Sequence, residues 1–372
     1  MAKHLQILLI MLSFKKSFFS LCLFIAVAPF AVVLAAEEDS PKGDAQADIL
    51  QQAIPFIALR NVTGLKDADD YFGDERSAAS LGVCDLSYTP VPFTSTKSFK
   101  SLARNGYFYI PDAMVDIQSI RRMSADQFLQ GLKQFIGKTR PILYIHGYNM
   151  SFARSCKQAA LFERNLGAAN RVMLFSWPSD GALLNYTRDE ADVQWSVTPL
   201  ERVLEQMQLH FGSAGFDVVA HSLGARGLIH ALNNLAHEGK KDLPMLNQLV
   251  LVAPDVDAGI FKQALPHIRP LVKHLSLYVS ANDKPLALSA EVHGYPRLGE
   301  TGAHLQGLNG LEIIDLSDLA VRSFSGHLYH LYQDDIAVDL RLLLNDQRPA
   351  EHRPRLHKVA GGYWRLAPSG SE

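Results

Sequence analysis

The 372-residue sequence predicts an α/β fold, with a mostly parallel central sheet covered by helices on both faces. Two observations carry this expectation. From residue 140 onward, short runs that are apolar throughout alternate with segments of helical period. Apolar residues also make up 48% of the chain against 20% charged, enough to bury a large core. In open sheets of this kind ligands bind at the carboxyl ends of the strands. Chemistry is therefore expected in the residues directly after each apolar run.

The elements follow in order. "IPFIALRNV" (54–62) and "VCDLSYTPVPF" (83–93) carry β-favouring runs broken by proline and read as strands at a sheet edge. "PILYIHG" (141–147) is a short buried strand, and residues 151–166 have helical spacing. "RVMLFSW" (171–177) is the second strand of the alternating series. Thr198-Pro199-Leu200-Glu201 then opens a helix by two signals, a Thr cap with Glu three residues on and Pro at the first helical position. Leu200, Val203, Leu204 and Met207 give that helix one apolar stripe. "FDVVAHS" (216–222) is the third strand, and residues 224–237 are helical. "LNQLVLVAP" (246–254), "LSLYVSAND" (275–283) and "LEIIDLS" (311–317) are the fourth, fifth and sixth strands, and 328–344 is helical. One domain over 54–345 results, after a polar linker at 37–53 and before a basic tail at 346–372 that reads as flexible.

Residues 1–36 differ from the rest. Lys3, Lys15 and Lys16 precede the apolar run "SFFSLCLFIAVAPFAVVLAA", which ends in small residues before "EEDS". A basic segment, an apolar segment and a small-residue cleavage site predict export to a periplasmic or extracellular space. The alternative is an uncleaved membrane anchor over 17–36, because the run approaches the length of a bilayer span. The net charge of −2 excludes a strongly basic, nucleic-acid-binding surface as the default. Cys84 and Cys156 lie outside the leader; an oxidising compartment would permit them to pair, and two buried free thiols are the alternative. No His/Cys cluster has metal-ligand spacing, so neither metal nor cofactor is expected.

The most informative stretch is "FDVVAHSLGARG" (216–227), in which Ser222 follows a strand and precedes a helix. A tight turn there crowds the backbone, and Ala220 and Gly224 flank the serine two residues to either side with small side chains. This resembles the nucleophile elbow of the alpha/beta hydrolases, with Ala where the usual first glycine stands. The plainer alternative is a helix N-cap serine. In that fold the chain order is serine, acid, histidine. Asp283 closes the fifth strand, and His327 lies in "SFSGHLYH" after the sixth. Asp255, in "VAPDVDAG" after the fourth strand, is the alternative acid; Asp257 in the same loop could cap a helix. His330, His274 and His293 are rival bases. Acyl transfer also needs donors for an oxyanion. These are expected to be the backbone N–H of Leu223 and that of Tyr148, which follows His146-Gly147 at the end of the first strand of the alternating series. Trp177, Trp195 and the segment 185–196 either rim a pocket or pack in the core.

The segments "LYIHGYNMSF", "FSWPSDG", "DVVAHSLGARG", "LVAPDVDAGIF", "LYVSANDKPL" and "SGHLYH" together resemble an uncharacterised, esterase- or lipase-like alpha/beta-hydrolase family, the domain of unknown function nine hundred. The resemblance spans roughly 54–345 and includes "DYFGDERSAASLGVCDLSYTPVP" near its start. It implies the alpha/beta-hydrolase fold and a Ser-Asp-His triad on Ser222, Asp283 and His327. The expected activity is hydrolysis of a small-molecule or lipid ester through an acyl-enzyme. Acyl transfer and amide cleavage use the same triad, and a non-catalytic exported binding protein is the alternative from a different class. Membrane association through the N-terminal apolar segment accompanies the anchor alternative.

Overall fold

The structure is a computed structural model that describes residues 50–88, 115–137, 139–167, 171–182, 185–239, 244–321, 326–359 and 361–370. The leader, most of the linker and residues 89–93 of the second expected edge strand lie outside the described residues. Among the described residues no helix is long and apolar enough to cross a membrane.

Eleven strands form one sheet in the order β10-β11-β9-β8-β7-β6-β4-β5-β1-β2-β3. Its middle is the six-strand series read from the sequence: β4 (Ile142–Ile145), β5 (Val172–Ser176), β6 (Asp217–His221), β7 (Leu246–Val252), β8 (Val272–Val279) and β9 (Glu312–Asp315). All neighbouring pairs among these six are parallel. β1 (Leu50–Val62) extends the sheet in parallel beside β5, and β2 (Phe72–Tyr88) and β3 (Val115–Met123) follow as antiparallel strands.

The strands are apolar throughout because both faces are covered. Leu143, Ile145, Val218, Ala220, Leu249 and Leu251 point into one core with α1 (Ala125–Ile136), α4 (Val197–Phe211), α5 (Leu223–His237) and α6 (Ala258–Ile268). The alternate residues Ile142, Tyr144, Val219, Val250 and Val252 point into a second core with α2 (Phe152–Leu166) and the later helices α7 (Lys284–His293), α8 (Tyr329–Tyr332) and α9 (Asp334–Leu344). Cys84 and Cys156 are buried free thiols in this second core.

Three expectations are corrected. The helix placed to start at Pro199 begins at Val197, running on from α3 (Tyr186–Trp195) through Ser196. Ser196 keeps right-handed helical angles and spends its hydroxyl on Asp192 O, so Thr198 never becomes a cap. The single helix at 328–344 is broken, because Gln333 adopts an extended conformation (φ −119°, ψ 115°). Part of the tail expected at 346–372 is built into the sheet: β11 (Trp364–Leu366) pairs in parallel with β9, and β10 (Leu356–Lys358) closes the edge. It is held by Arg353, 2% exposed, which donates to Asp339 (2.7 Å), Glu312 (2.7 Å) and the Tyr278 hydroxyl (2.9 Å). The dense positive charge that suggested a solvated tail is consumed there and by the Arg355–Asp335 and Arg365–Asp315 pairs.

Candidate active site

β6 ends at His221 and α5 begins at Leu223, so Ser222 alone makes the turn between them. It does so at φ 53°, ψ −125°, in the half of conformational space that disfavours side chains other than glycine. Such strain costs about 1–3 kcal/mol and persists only when the surroundings enforce it. Two hydrogen bonds do so. Ser222 N–H donates to Val252 O (3.0 Å), and Ser222 O accepts from Asp255 N–H (3.1 Å). The hydroxyl makes no capping bond to α5, which sets aside the N-cap alternative. The small flanking residue is needed for a stated reason: a Cβ on Gly224 would lie 2.2 Å from His146 O. Gly147 is as tightly placed, since a Cβ there would lie 2.6 Å from His221 Nδ1 and 2.9 Å from Ser222 Cβ. The loop after β4 thus lies directly against the serine. Leu223 opens α5, where the first amides have no acceptor within the helix and carry its positive dipole end.

Ser222, His327 and Asp283 come together. Ser222 Oγ is 2.8 Å from His327 Nε2, and His327 Nδ1 is 2.7 Å from Asp283 Oδ2. A carboxylate only accepts, so Nδ1 carries the proton and Nε2 of the neutral ring is left to accept from the serine. Asp283 is itself held, because its Oδ1 accepts from Leu286 N–H (3.1 Å) as the cap of α7. The residues before His327 are equally constrained. Gly326 has φ 71°, and a Cβ on it would lie 2.4 Å from Asn282 O, which packs the His327 loop against the Asp283 loop. Ser222 and Asp283 are 4% and 2% exposed, so water screens the series little. Burial pushes the His327 pKa down, but the Asp283 charge and hydrogen bond outweigh it, Asp255 adds to them, and the pKa ends above the ordinary histidine value.

The rival residues go elsewhere. Asp255 is drawn into a different cluster; its carboxylate takes Ser289 Oγ (2.7 Å), the Tyr186 hydroxyl, Arg297 (3.3 Å) and Arg226 (3.4 Å). Asp257 caps α6. His293 pairs with Glu190 (2.7 Å), and His274 lies on β8 away from the serine. His330 is fully buried, bonded to the Tyr144 hydroxyl (3.0 Å), and burial lowers its pKa to about 3. Trp177 is core, fully buried, stacked on the His146 ring at 5.0 Å and donating to His146 O (2.8 Å). Trp195 is the more exposed of the two and lies under Arg76.

The sequence reading missed what braces the loop after β4. Arg60 on β1, 1% exposed, donates to Met150 O (2.7 Å), Ser179 O (2.7 Å) and Ser176 Oγ (2.9 Å). Burial lowers its pKa to about 10 against the pull of Asp189. Asp189, fully buried on α3, accepts from Asn149 N–H (3.1 Å), Asp180 N–H (3.0 Å) and Ser179 Oγ (2.5 Å). Asn149 is thereby held at φ 57°. A lone arginine inside the apolar strand "FIALRNV" was the available signal.

Residues 124–346 match a family described as alpha/beta hydrolase of unknown function (DUF900), which spans more than half of the chain. The chain belongs to this family. The resemblance and the fold expected of this alpha/beta hydrolase are thereby borne out. No curated protein matches the hydrolase in sequence. Solved structures similar to it include an uncharacterised protein from Bacillus cereus, 12% identical over 68% of each chain (TM-score 0.35). A Pyrobaculum calidifontis esterase is 14% identical over 57% of this chain and 78% of its own (0.34). The RedJ thioesterase from Streptomyces coelicolor is 12% identical over 55% and 85% (0.31).

Proposed function

We propose that this hydrolase cleaves carboxylic esters by a Ser-His-Asp mechanism. The observation that carries the reading is the unbroken series Ser222 Oγ–His327 Nε2–Asp283, with the serine on a strained turn at a helix N-terminus. His327 takes the hydroxyl proton as Ser222 attacks the acyl carbon. Asp283 keeps the proton on Nδ1 and stabilises the imidazolium that forms. The N–H groups of Leu223 and Tyr148 stabilise the oxyanion, aided by the dipole of α5. His327 then protonates the leaving alkoxide, and water repeats the sequence to release the acid. The substrate is a small-molecule or lipid ester, and the leader at 1–36 delivers the enzyme to an exported or membrane-anchored location.

The test is labelling with a fluorophosphonate probe together with hydrolysis of p-nitrophenyl esters of graded chain length. Wild type labels at Ser222 and turns over. Ser222→Ala does neither, losing on the order of 10⁴-fold or more in kcat. Undiminished turnover by the variant, or labelling at another serine, overturns the assignment.

A further inference from the structure

Beside the reacting groups lies a cluster of histidine rings, of which the mechanism above uses only His327. The His221 ring centroid is 4.6 Å from that of His327 and 4.6 Å from that of His330, with the rings tilted by 51° and 38°. His221 is 2% exposed, and its Nε2 is 3.2 Å from the backbone O of His327. A carbonyl can only accept, so this nitrogen carries the proton. Its Nδ1 is buried without a hydrogen-bond partner and lies against Gly147. His330 is anchored to the Tyr144 hydroxyl on β4. One side chain thus touches three parts of the site. It is the covalent neighbour of Ser222, it donates to the main chain of His327, and it packs on the loop that carries Tyr148.

We propose that His221 is the positioning residue for His327, its Nε2–H fixing the main chain of the base so that the imidazole faces Ser222. The inference rests on the Ser-His-Asp reading. Its physical basis is that His327 follows Gly326 in a loop and has no strand or helix of its own to hold it. The Asp283 bond orients the ring but does not by itself fix its distance from the serine. A second attachment, from the residue next to the nucleophile, ties that distance to the elbow itself. Burial above all, with the neighbouring His330 and His327 rings adding to it, keeps the His221 pKa well below the usual value, so it remains a neutral donor while His327 cycles through its charged form. Among the described residues the other titratable groups facing this cluster include His146, Tyr144, Tyr329, Asp283 and Asp255, and the two carboxylates favour charge on His327 rather than on His221.

The experiment compares His221→Gln, His221→Asn and His221→Phe. A Gln amide reaches the position of Nε2 and restores the donor; Asn is too short, and Phe keeps the ring shape without a donor. A misplacement of about 1 Å can cost on the order of 10²-fold in rate. Expected is a loss of that order in kcat for Phe and Asn with KM little changed, a parallel loss in fluorophosphonate labelling, and recovery to within a few-fold for Gln. The acid limb of the pH profile moves to lower pH in Phe and Asn, because the loosened loop weakens the bond to Asp283, and returns in Gln. Equal losses in Gln, Asn and Phe, or none in any, overturn the proposal. If Phe fails to fold, as judged by its melting transition, the Gln–Asn comparison decides alone. Failure of wild type to label at Ser222 would instead overturn the underlying reading.

Discussion

At the scale of single residues, the two aspartates near the serine make opposite predictions. Asp283→Asn deprives His327 of the acceptor that fixes its tautomer and is expected to lower kcat by about 10⁴-fold with little effect on melting temperature. Asp255→Asn leaves Arg226 and Arg297 with less countercharge in a buried cluster, so its loss is expected mainly in stability, by about 3–5 kcal/mol in urea unfolding. Kinetics and melts on the two variants check both. The pH profile follows from His327. Its raised pKa means that the neutral, proton-accepting form is lost as pH falls through a value above about 6.5. kcat/KM of wild type is expected to decline on that acid limb and to be flat above it. Ser222 and Asp283 were legible because they close apolar runs, and His327 because it lies in the loop that follows the last of them. His221 and His330 were not: adjacency in space between a strand end and a loop a hundred residues later leaves no trace in local pattern.

At the scale of elements, the β6–α5 turn and the loop after β4 form one unit, because Gly224 and Gly147 admit no side chain between them. Gly147→Ala is expected to push the loop away from Ser222 and cost about 10²–10³-fold in kcat, as removal of an oxyanion donor does. Measured KM values on the same ester should change much less. The strands of the parallel series were legible to within a few residues, since burial on both faces forces continuous apolar runs. The helix boundaries were less so. Ser196 continues a helix where a cap was expected, and Gln333 interrupts one with neither glycine nor proline to announce it. Both are settled by tertiary contacts, Ser196 through Asp192 and Gln333 through Ala320 O (2.5 Å).

At the scale of the molecule, the parallel sheet is extended on both sides, by β1–β3 at one edge and by β11 and β10 at the other. Arg353 fastens the second extension to Asp339 and Glu312. Arg353→Met is expected to leave buried Asp339 without its cationic partner and to destabilise the fold by about 3–5 kcal/mol, read as a lower urea midpoint. Composition misled here, because a run rich in arginine reads as solvated unless its carboxylate partners, lying 14 to 50 residues away along the chain, are known.

That late extension bears on how the sheet is protected while it forms. β11 pairs with β9 through Ile314 and Asp315, so that side of β9 gains its neighbour only after residues 356–366 have been synthesised. A chain still held by the ribosome would leave β9 with one unpaired edge. An open strand edge is a template for pairing with another chain, so β10 and β11 also shield the newly made sheet from association with its own copies.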